Sequence, residues 1–412
     1  MREYSITQAL SLPEYKITDV KDDLVRLVIC VEPYKRKEFI CSKCGEAHVG
    51  KINSLKDVTV DDLKILDKRV RLIVTKRRMR CPQDGKLHVE HIDWVKPRAR
   101  VTNRLAKDVY RLTSITTNTE AGWYLGFDDE KIYRIDLETL EGLAAKVLNP
   151  TPTCKNMSVD EVAWRKYYQY LTNVINVDIR KVIWNEKGRT AEVLDKYYGN
   201  IGKDNSAKIE SVALDGAMTY ISSTAKNAPN ALIVYDKFHV VQRLNTTVDT
   251  VRKLELRKAR KEERSDLIEM MDCKQRFILL KNKGNLTGNQ KERLDRLCSL
   301  NESIYKAMLL KESFLLIYTK QDETSAEECL NEWFAQAATS GIQAFVILAE
   351  KFKNKARYIL NWFKKRISSA ISEGINNKIK RLKRMAYGYR NVRYFLLKIH
   401  QHCGLLSPRF SP

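Results

Sequence analysis

Two carboxylates stand within or directly after apolar stretches in the middle of the sequence. Asp160 lies in the predicted strand 157–163, and Asp215 follows the apolar run 209–214. A charge in such a place is costly unless it is paired or bound to a metal. Converging carboxylates bind Mg²⁺ or Mn²⁺, and two such ions about 3.5–4 Å apart commonly assist the breaking of phosphodiester bonds. Together the two residues predict a two-metal site, although singly Asp160 is more typical of a solvated strand edge and Asp215 of a turn.

A third carboxylate, Glu373, lies in a strongly basic part of the chain. Residues 351–400 contain fifteen Lys or Arg residues and one acid, which is Glu373. Such a block is typical of a surface that binds phosphates. Glu373 therefore suits a metal ligand beside a bound DNA backbone, and the alternative is a partner in a surface ion pair. The cations predicted to contact that backbone are Lys378, Lys380, Arg381, Lys383, Arg384 and Arg390.

His239 follows the apolar run 231–235 and the carboxylate of Asp236. One interpretation makes it a catalytic residue that forms a hydrogen bond near the reacting phosphate or positions Asp236. The other is a buried histidine at a strand–helix corner. The sequence supports the two equally.

Three cysteines have the spacing of a zinc site. Cys41 and Cys44 form a Cys-x-x-Cys-Gly knuckle, in which two thiolates on a tight turn reach one tetrahedral Zn²⁺. Cys81 supplies a third thiolate, but the position of the expected second cysteine there is Asp84. The candidates for the fourth ligand are Asp84, His88 and, more weakly, His48. The alternative is a ribbon that folds without metal.

Composition limits the class of protein. The 412 residues include 74 Lys and Arg and 51 Asp and Glu, which gives a formal net charge of +23 and predicts a polyanionic partner, or else a highly charged solvated surface. The hydrophobic content of 43% excludes a disordered chain. Nine irregularly spaced cysteines predict reduced thiols. Without an apolar signal core or membrane-spanning run, we predict a cytoplasmic protein.

The N-terminal third of the chain changes from β-rich to helical. Segments 24–31 and 70–79 are β-rich, flank the cysteine motifs and predict a small ribbon. From Thr102 onward, three short helical patterns with Gly126 in the second turn predict a helix-turn-helix. Its third helix is predicted to enter the major groove of DNA with Lys131, Tyr133 and Arg134.

Residues 157–240 alternate between strands and helices in the order β-β-β-α-β-α-β-α. This order is typical of an RNase H-like domain, a mixed sheet with helices on both faces, in which chemistry occurs at strand ends. Residues 237–366 are helical almost throughout.

The chain resembles the ISL-three family of bacterial insertion-sequence transposases. The stretches that carry the resemblance are Cys41–Gly45, Val159–Glu161, Val212–Asp215, Pro229–Ala231, Tyr235–Val240, Val248–Arg252 and Glu373–Lys380, continuing to Arg384–Asn391. They extend over nearly the whole chain, and the last block is long and specific. The resemblance implies a DDE catalytic triad of Asp160, Asp215 and Glu373. The sequence departs from the family at Asp84, where the zinc ribbon usually has a cysteine.

The expected fold is multi-domain: a β zinc ribbon, an α helix-turn-helix, and an α/β RNase H-like catalytic domain with a large all-α insertion. The predicted boundaries are 1–96 for the ribbon, 97–150 for the helix-turn-helix, 151–240 for the first part of the core, 241–366 for the insertion and 367–412 for the C-terminal part of the core.

The resemblance implies a transposase that binds the terminal inverted repeats of its element, cleaves DNA and transfers the strand to target DNA. Its expected cofactors are two Mg²⁺ or Mn²⁺ ions per active site and a structural Zn²⁺. Its expected partners are double-stranded DNA and further copies of the chain, as a homodimer or a larger assembly, and no membrane. The alternative is a transposase-derived DNA-binding regulator without catalytic activity.

Overall fold

The computed structural model describes residues 10, 12, 14–165, 167, 169–272, 276–281, 283–367 and 370–408. Their backbone divides into two compact units. Unit 1 comprises the described residues of 1–147, 385–402 and 406–412, and unit 2 those of 148–384 and 403–405. Within the described residues, no helix has the length and apolar character needed to cross a membrane.

Unit 1 begins with a strand-rich region. Its strands are β1 (Tyr15–Asp22), β2 (Arg26–Pro33), β3 (Phe39–Ile40), β4 (Ala47–His48), β5 (Ser54–Ile65), β6 (Lys68–Arg80) and β7 (Leu87–Val89). One sheet has the order β1-β2-β6-β5 with β7 on β6, and β3 pairs with β4 separately. In β6, Val70, Leu72 and Val74 are buried, while the residues between them are only partly buried. This alternation places the core on one face of the sheet.

Three helices follow the strands, as the sequence predicted. They are α1 (Asn103–Leu112), α2 (Asn118–Leu125) and α3 (Asp129–Val147). The Thr102 hydroxyl caps α1, and Thr117 with Glu120 forms a capping box at the start of α2. Gly126 ends α2 in the left-handed region, with φ 76°. The helices pack through Leu105, Val109, Ala121, Leu125 and Ile132.

Unit 2 contains a five-stranded sheet. Its elements are β8 (Asn156–Arg165), β9 (Gln169–Asn176), β10 (Lys181–Lys187), α4 (Ala191–Ile201), α5 (Lys203–Ser206), β11 (Ser211–Leu214), α6 (Met218–Asn227) and β12 (Leu232–Tyr235). The strand order is β10-β9-β8-β11-β12. β8, β9 and β10 are antiparallel neighbours, whereas β11 is parallel to both β8 and β12. The chain order of strands and main helices is the predicted one.

A helical region follows β12. It contains α7 (Lys237–Lys261), α8 (Ser265–Met271), α9 (Arg276–Leu280), α10 (Gly288–Leu300), α11 (Glu302–Ile317), α12 (Glu323–Thr339), α13 (Gln343–Lys353) and α14 (Ala356–Lys364). These helices share one apolar core that includes Phe314, Trp333 and Phe352. The Asn361 amide on α14 donates to the carbonyl of Ile233 on β12, at 2.7 Å. The helical region is thus joined to the edge of the sheet.

Two further helices end the chain, α15 (Ala370–Met385) and α16 (Val392–Cys403). The sequence assigned both to the catalytic core, but most of α16 belongs to unit 1. There Lys398 and Tyr394 donate to the same Asp136 oxygen, at 3.2 and 2.6 Å, and Thr113 donates to the other at 2.8 Å. All four side chains are buried. A buried charge on α3 is thereby satisfied from the far end of the sequence, which no local pattern indicates.

Candidate active site and metal centre

Three aspartates lie at one level of the sheet in unit 2, Asp160 within β8 and the other two directly after β11 and β12. β11 lies between β8 and β12 and is parallel to both. When the registers of these two pairs are continued, Asp160 and Asp236 stand at the level of Asp215, which directly follows β11. Neighbouring strands are about 4.8 Å apart, so the three residues form a row across the sheet, at the carboxyl ends of β11 and β12 and beside them on β8.

Asp160 is held by hydrogen bonds at both carboxylate oxygens. The backbone N–H of Glu161 donates to Oδ1 at 2.7 Å, and the side-chain amide of Asn376 donates to Oδ2 at 2.8 Å. Asn376 is itself buried, on helix α15. The carboxylate therefore has a fixed orientation.

Burial raises the pKa of Asp160 to about 6. The Glu161 hydrogen bond and nearby His239 act in the opposite direction, while the negative charges of Asp215 and Asp236 raise the pKa further. A site that disfavours several carboxylate charges together is one in which a bound cation is favourable. The donor set, oxygen atoms of closely spaced carboxylates, fits Mg²⁺ or Mn²⁺.

Asp215 sits in a tight turn that requires glycine. Gly216 has φ +78°, and a Cβ there would lie 2.6 Å from the Tyr235 ring. The Asp215 carboxylate accepts from the backbone N–H of Ala217 at 2.9 Å, and Lys355 donates to the Gly216 carbonyl at 2.6 Å. The turn is thus fixed from both sides.

Asp236 is a third carboxylate in this row, which the sequence predicted only as a partner of His239. It is 1% exposed and caps α7 by accepting from the backbone N–H of Phe238. The sequence could have indicated Asp236 as a member of the row, because it directly follows the apolar strand β12 as Asp215 follows β11. His239 Nε2 lies 3.8 Å from an Asp236 oxygen, and the histidine side chain is 22% exposed. His239 therefore lies beside this row of carboxylates, and its side chain is partly exposed to solvent.

Glu373 is in the first turn of α15, and its side chain is exposed. The helix runs along β8: Ser372 donates to Ser158 at 2.7 Å, Asn376 contacts Asp160, and Lys383 donates to the Ala163 carbonyl at 2.9 Å. Glu373 directly follows Ser372 and is one turn before Asn376. The structure thus places the backbone of Glu373 beside the part of β8 that carries Asp160.

The six basic residues after Glu373 that were predicted to contact DNA differ in exposure and location. Lys378, Lys380, Arg381 and Arg384 are exposed on α15. Lys383 is partly buried by its contact with Ala163, and the exposed Arg390 belongs to unit 1.

The three residues predicted to read DNA bases differ in their contacts within unit 1. Lys131 pairs with Asp61, and its ammonium lies 4.1 Å from the centre of the Phe127 ring. The Tyr133 hydroxyl accepts from the Asn391 amide at 3.0 Å. Arg134 is exposed and lies 3.8 Å from Glu130.

A cluster of four metal-binding side chains lies in the N-terminal β-region. The ligand atoms of Cys41, Cys44, His48 and Cys81 all lie within 4.8 Å of one another. His48 Nε2 is 3.1 Å from Cys44 Sγ and 3.4 Å from Cys81 Sγ. Burial acts to raise the pKa of the Cys41 thiol, but hydrogen bonds from backbone N–H groups and the other two thiols lower it overall. Three sulfurs and one imidazole nitrogen are a donor set that fits tetrahedral Zn²⁺.

Of the three candidates predicted for the fourth ligand, Asp84 and His88 lie outside this cluster, whereas His48, the weaker candidate, belongs to it. Asp84 and His88 pair with each other, with Oδ2 and Nε2 2.7 Å apart. His48 joins the cysteines because β4 pairs with β3, with His48 opposite Phe39. The spacing after Cys81 favoured Asp84 and His88 over His48, whereas the strand pairing brings His48, four residues after Cys44, to the cysteines.

Known proteins match both regions. An ISL-three family model described as "Transposase" matches residues 157–399, and a model described as "zinc-finger of transposase IS204/IS1001/IS1096/IS1165" matches residues 37–84. The chain is 31% identical over 373 residues to the "Transposase for insertion sequence element IS1001" of Bordetella parapertussis, with 88% of each chain covered. It is 24% identical over 410 residues to the "Transposase for insertion sequence element IS1557" of Mycobacterium tuberculosis, covering 90% of this chain and 87% of the other.

Proposed function

The chain belongs to the ISL-three family of transposases, and from that membership we propose that it binds the terminal inverted repeats of an insertion sequence, cleaves DNA there and joins the freed end to target DNA. The observation that carries the catalytic part is the row of Asp160, Asp215 and Asp236 on three adjacent strands, with Glu373 on the helix that contacts Asp160. The triad in this proposal is Asp160, Asp215 and Glu373.

We assign an RNase H-like fold to the sheet of unit 2, with α7–α14 as an insertion before the helix that carries the third carboxylate. Three antiparallel strands followed by two parallel ones, with helices between them, support this assignment. We likewise assign the β-region around the cysteine cluster to a zinc ribbon and α1–α3 to a helix-turn-helix.

Asp160, Asp215 and Glu373 would hold two Mg²⁺ or Mn²⁺ ions, which when bound activate water and stabilise charge on the leaving oxygen. The chain's own part is to orient the ligands. Asn376 and the Glu161 N–H fix both oxygens of Asp160, and the Gly216 turn fixes Asp215. His239, which is partly exposed beside Asp236, would form a hydrogen bond with a phosphate oxygen.

DNA would be held through its phosphates by the exposed cations of α15, Lys378, Lys380, Arg381 and Arg384. Recognition of the element's ends is assigned to unit 1. Arg134 is the exposed member of the three predicted base-reading residues, whereas Lys131 and Tyr133 support the position of α3. Two ends must be joined, so we propose a homodimer or larger assembly on DNA.

The test is a strand-transfer assay with the purified chain, a duplex that ends in the element's inverted repeat, and a target plasmid. In Mg²⁺ or Mn²⁺ we expect cleavage at the repeat and joined products, and the Asp215→Asn variant should give neither. Binding of the repeat without cleavage in either metal would support the transposase-derived regulator instead. Cleavage without joined products would indicate a nuclease.

A further inference from the structure

Helix α7 connects the row of carboxylates to the surface of the helical region. Its N-cap is Asp236, its first turn carries His239, and it continues for 25 residues to Lys261. At about 1.5 Å per residue, the distance from His239 to Lys261 is about 33 Å. That length corresponds to about ten base pairs of double-stranded DNA.

The two sides of α7 differ in character. The buried side is apolar and includes Val240, Leu244, Val248 and Val251, which belong to the core of the helical region. With about 100° between successive residues, one continuous exposed strip begins at His239. Its main members are Arg243, Thr246, Thr250, Lys253, Arg257 and Arg260.

The strip is cationic and presents no exposed carboxylate. The two acids within α7 are Asp249, which is buried and bound to Arg252 and Lys253, and Glu255, which is bound to Lys258. Arg257, Arg260 and Lys261 are exposed, and among the described residues they form no ion pair. The small residues Thr246 and Thr250 occupy the middle of the strip.

The geometry points to this strip as a binding surface for the backbone of double-stranded DNA that leaves the cleavage site. The inference rests on the proposed function, because it takes DNA as the substrate held at Asp160 and Asp215. It adds a second surface to the cations of α15 and gives the DNA a direction along α7. The strip would contact phosphates over about one helical turn, independently of base sequence.

The experiment compares two triple variants of the full-length chain. Arg257→Gln/Arg260→Gln/Lys261→Gln removes three cations from the end of the strip. The matched control, Lys291→Gln/Arg293→Gln/Arg296→Gln, removes three exposed cations from α10 in the same helical region. The probes are duplexes that contain the element end. One side of the cut is extended by either about 4 or about 15 base pairs, and the other side is then varied in the same way. Only the longer extension reaches the end of the strip.

We expect the α7 variant to bind the long duplex more weakly, with a slope of log affinity against log salt concentration that is shallower by about 0.9 for each lost contact, up to about 2.7. The short duplex should bind both variants and the wild type alike. Restoring charge with Arg257→Lys/Arg260→Lys should retain the steep slope. The inference is overturned if the α7 and α10 variants give equal slopes, or if the α7 variant loses affinity equally for both duplex lengths.

Cleavage, measured in the same samples, separates the two proposals. If the α7 variant shows the length-dependent loss of affinity and the wild-type chain does not cleave in Mg²⁺ or Mn²⁺, the binding strip is supported and the catalytic proposal is contradicted. A chain that cleaves normally while the α7 substitutions leave the slope unchanged contradicts the strip alone.

Discussion

Ionised Asp160 lowers the stability of the folded protein, and a catalytic role would explain why a carboxylate lies there. Its carboxylate is oriented by two hydrogen bonds, yet burial and the charges of Asp215 and Asp236 disfavour its ionised form. A structural carboxylate in such a place would be paired with a cation of the chain. A site that instead gathers negative charge has greater stability when a metal ion is bound.

Replacing Asp160 with Asn should therefore stabilise the metal-free protein more at neutral pH than at acidic pH. The folded-state pKa of about 6 lies above the unfolded value, so wild-type stability falls as pH rises from about 4 to 6, and the loss is complete above that range. The difference in stability between Asn and wild type should grow by about 1–3 kcal/mol between pH 4.5 and 7.5. Thermal melts in EDTA measure it, with exposed Asp204→Asn as control; a difference independent of pH would contradict the prediction.

Glu373→Gln should abolish cleavage and leave binding of the element's end intact. The change removes the charge of the proposed metal ligand and hardly alters its size, so we expect cleavage to fall at least about a hundredfold. An exposed ion pair contributes only about 0–1 kcal/mol, so a surface role predicts a small change. Cleavage and gel-shift assays on one duplex, in Mg²⁺ and then Mn²⁺, distinguish the two; near-normal cutting would remove Glu373 from the triad.

The fourth zinc ligand is testable by metal content. Protein purified without added zinc should contain about one equivalent, since structural sites of this kind are four-coordinate. His48→Ala should lose the metal, His48→Cys should retain it, and His88→Ala should behave like wild type because His88 pairs with Asp84. Loss of zinc from His88→Ala with retention in His48→Ala would reverse the assignment.

At the scale of elements, contacts between α15 and β8 place the third carboxylate. Ser372 and Asn376 contact Ser158 and Asp160, one turn apart on the helix and two residues apart on the strand. These contacts join parts of the chain more than two hundred residues apart in sequence. The position of Glu373 therefore depends on polar contacts that its own surroundings in the sequence do not reveal.

Asn376→Ala should slow cleavage while leaving the affinity for DNA unchanged. The substitution removes the hydrogen bond that fixes Oδ2 of Asp160, and a bond to a charged group contributes about 1.5–3 kcal/mol, or roughly a ten- to hundredfold effect. Single-turnover cleavage is the measurement. The adjacent exposed Asn377→Ala is the control, and equal rates for the two variants would show that Asn376 does not orient the site.

Elements and strand ends were readable from the sequence because apolar periodicity and glycine turns are local. The runs 209–214 and 231–235 identify β11 and β12, and with them the level of Asp215 and Asp236. The pairing between strands was harder to predict from the sequence. The β3–β4 ribbon that brings His48 to the cysteines has only two residues in each strand, too few for a periodic pattern. The placement of α16 depends on a buried polar network, which an amphipathic pattern alone does not specify.

At the scale of the whole molecule, unit 1 is built from both ends of the chain. Helix α16 supplies Tyr394 and Lys398 to the buried carboxylate of Asp136. Tyr394 packs edge-to-face on Tyr133 of α3, with ring centres 4.8 Å apart. The C-terminal helix is thus part of the core of the N-terminal unit.

Lys398→Ala should destabilise unit 1 strongly, because it leaves the Asp136 charge buried without a cation, at a cost of about 3–5 kcal/mol. Replacing the pair together, with Asp136→Asn/Lys398→Met, should recover most of the loss. Arg393→Ala on the same helix removes an exposed ion pair with Glu141 and should cost at most about 1 kcal/mol. Denaturant unfolding of the full chain measures all three; equal losses for Lys398→Ala and Arg393→Ala would contradict the prediction.

The two-ended construction of unit 1 has a consequence for how the protein is made. A ribosome delivers residues 148–384, nearly all of unit 2, before the C-terminal part of unit 1, so unit 1 closes only after α16 has emerged. Translation products that stop within unit 2 lack the cation for Asp136 and the helix that carries it. We therefore expect such fragments to be degraded rather than to accumulate as competitors that occupy DNA ends, which limits interference with the complete protein.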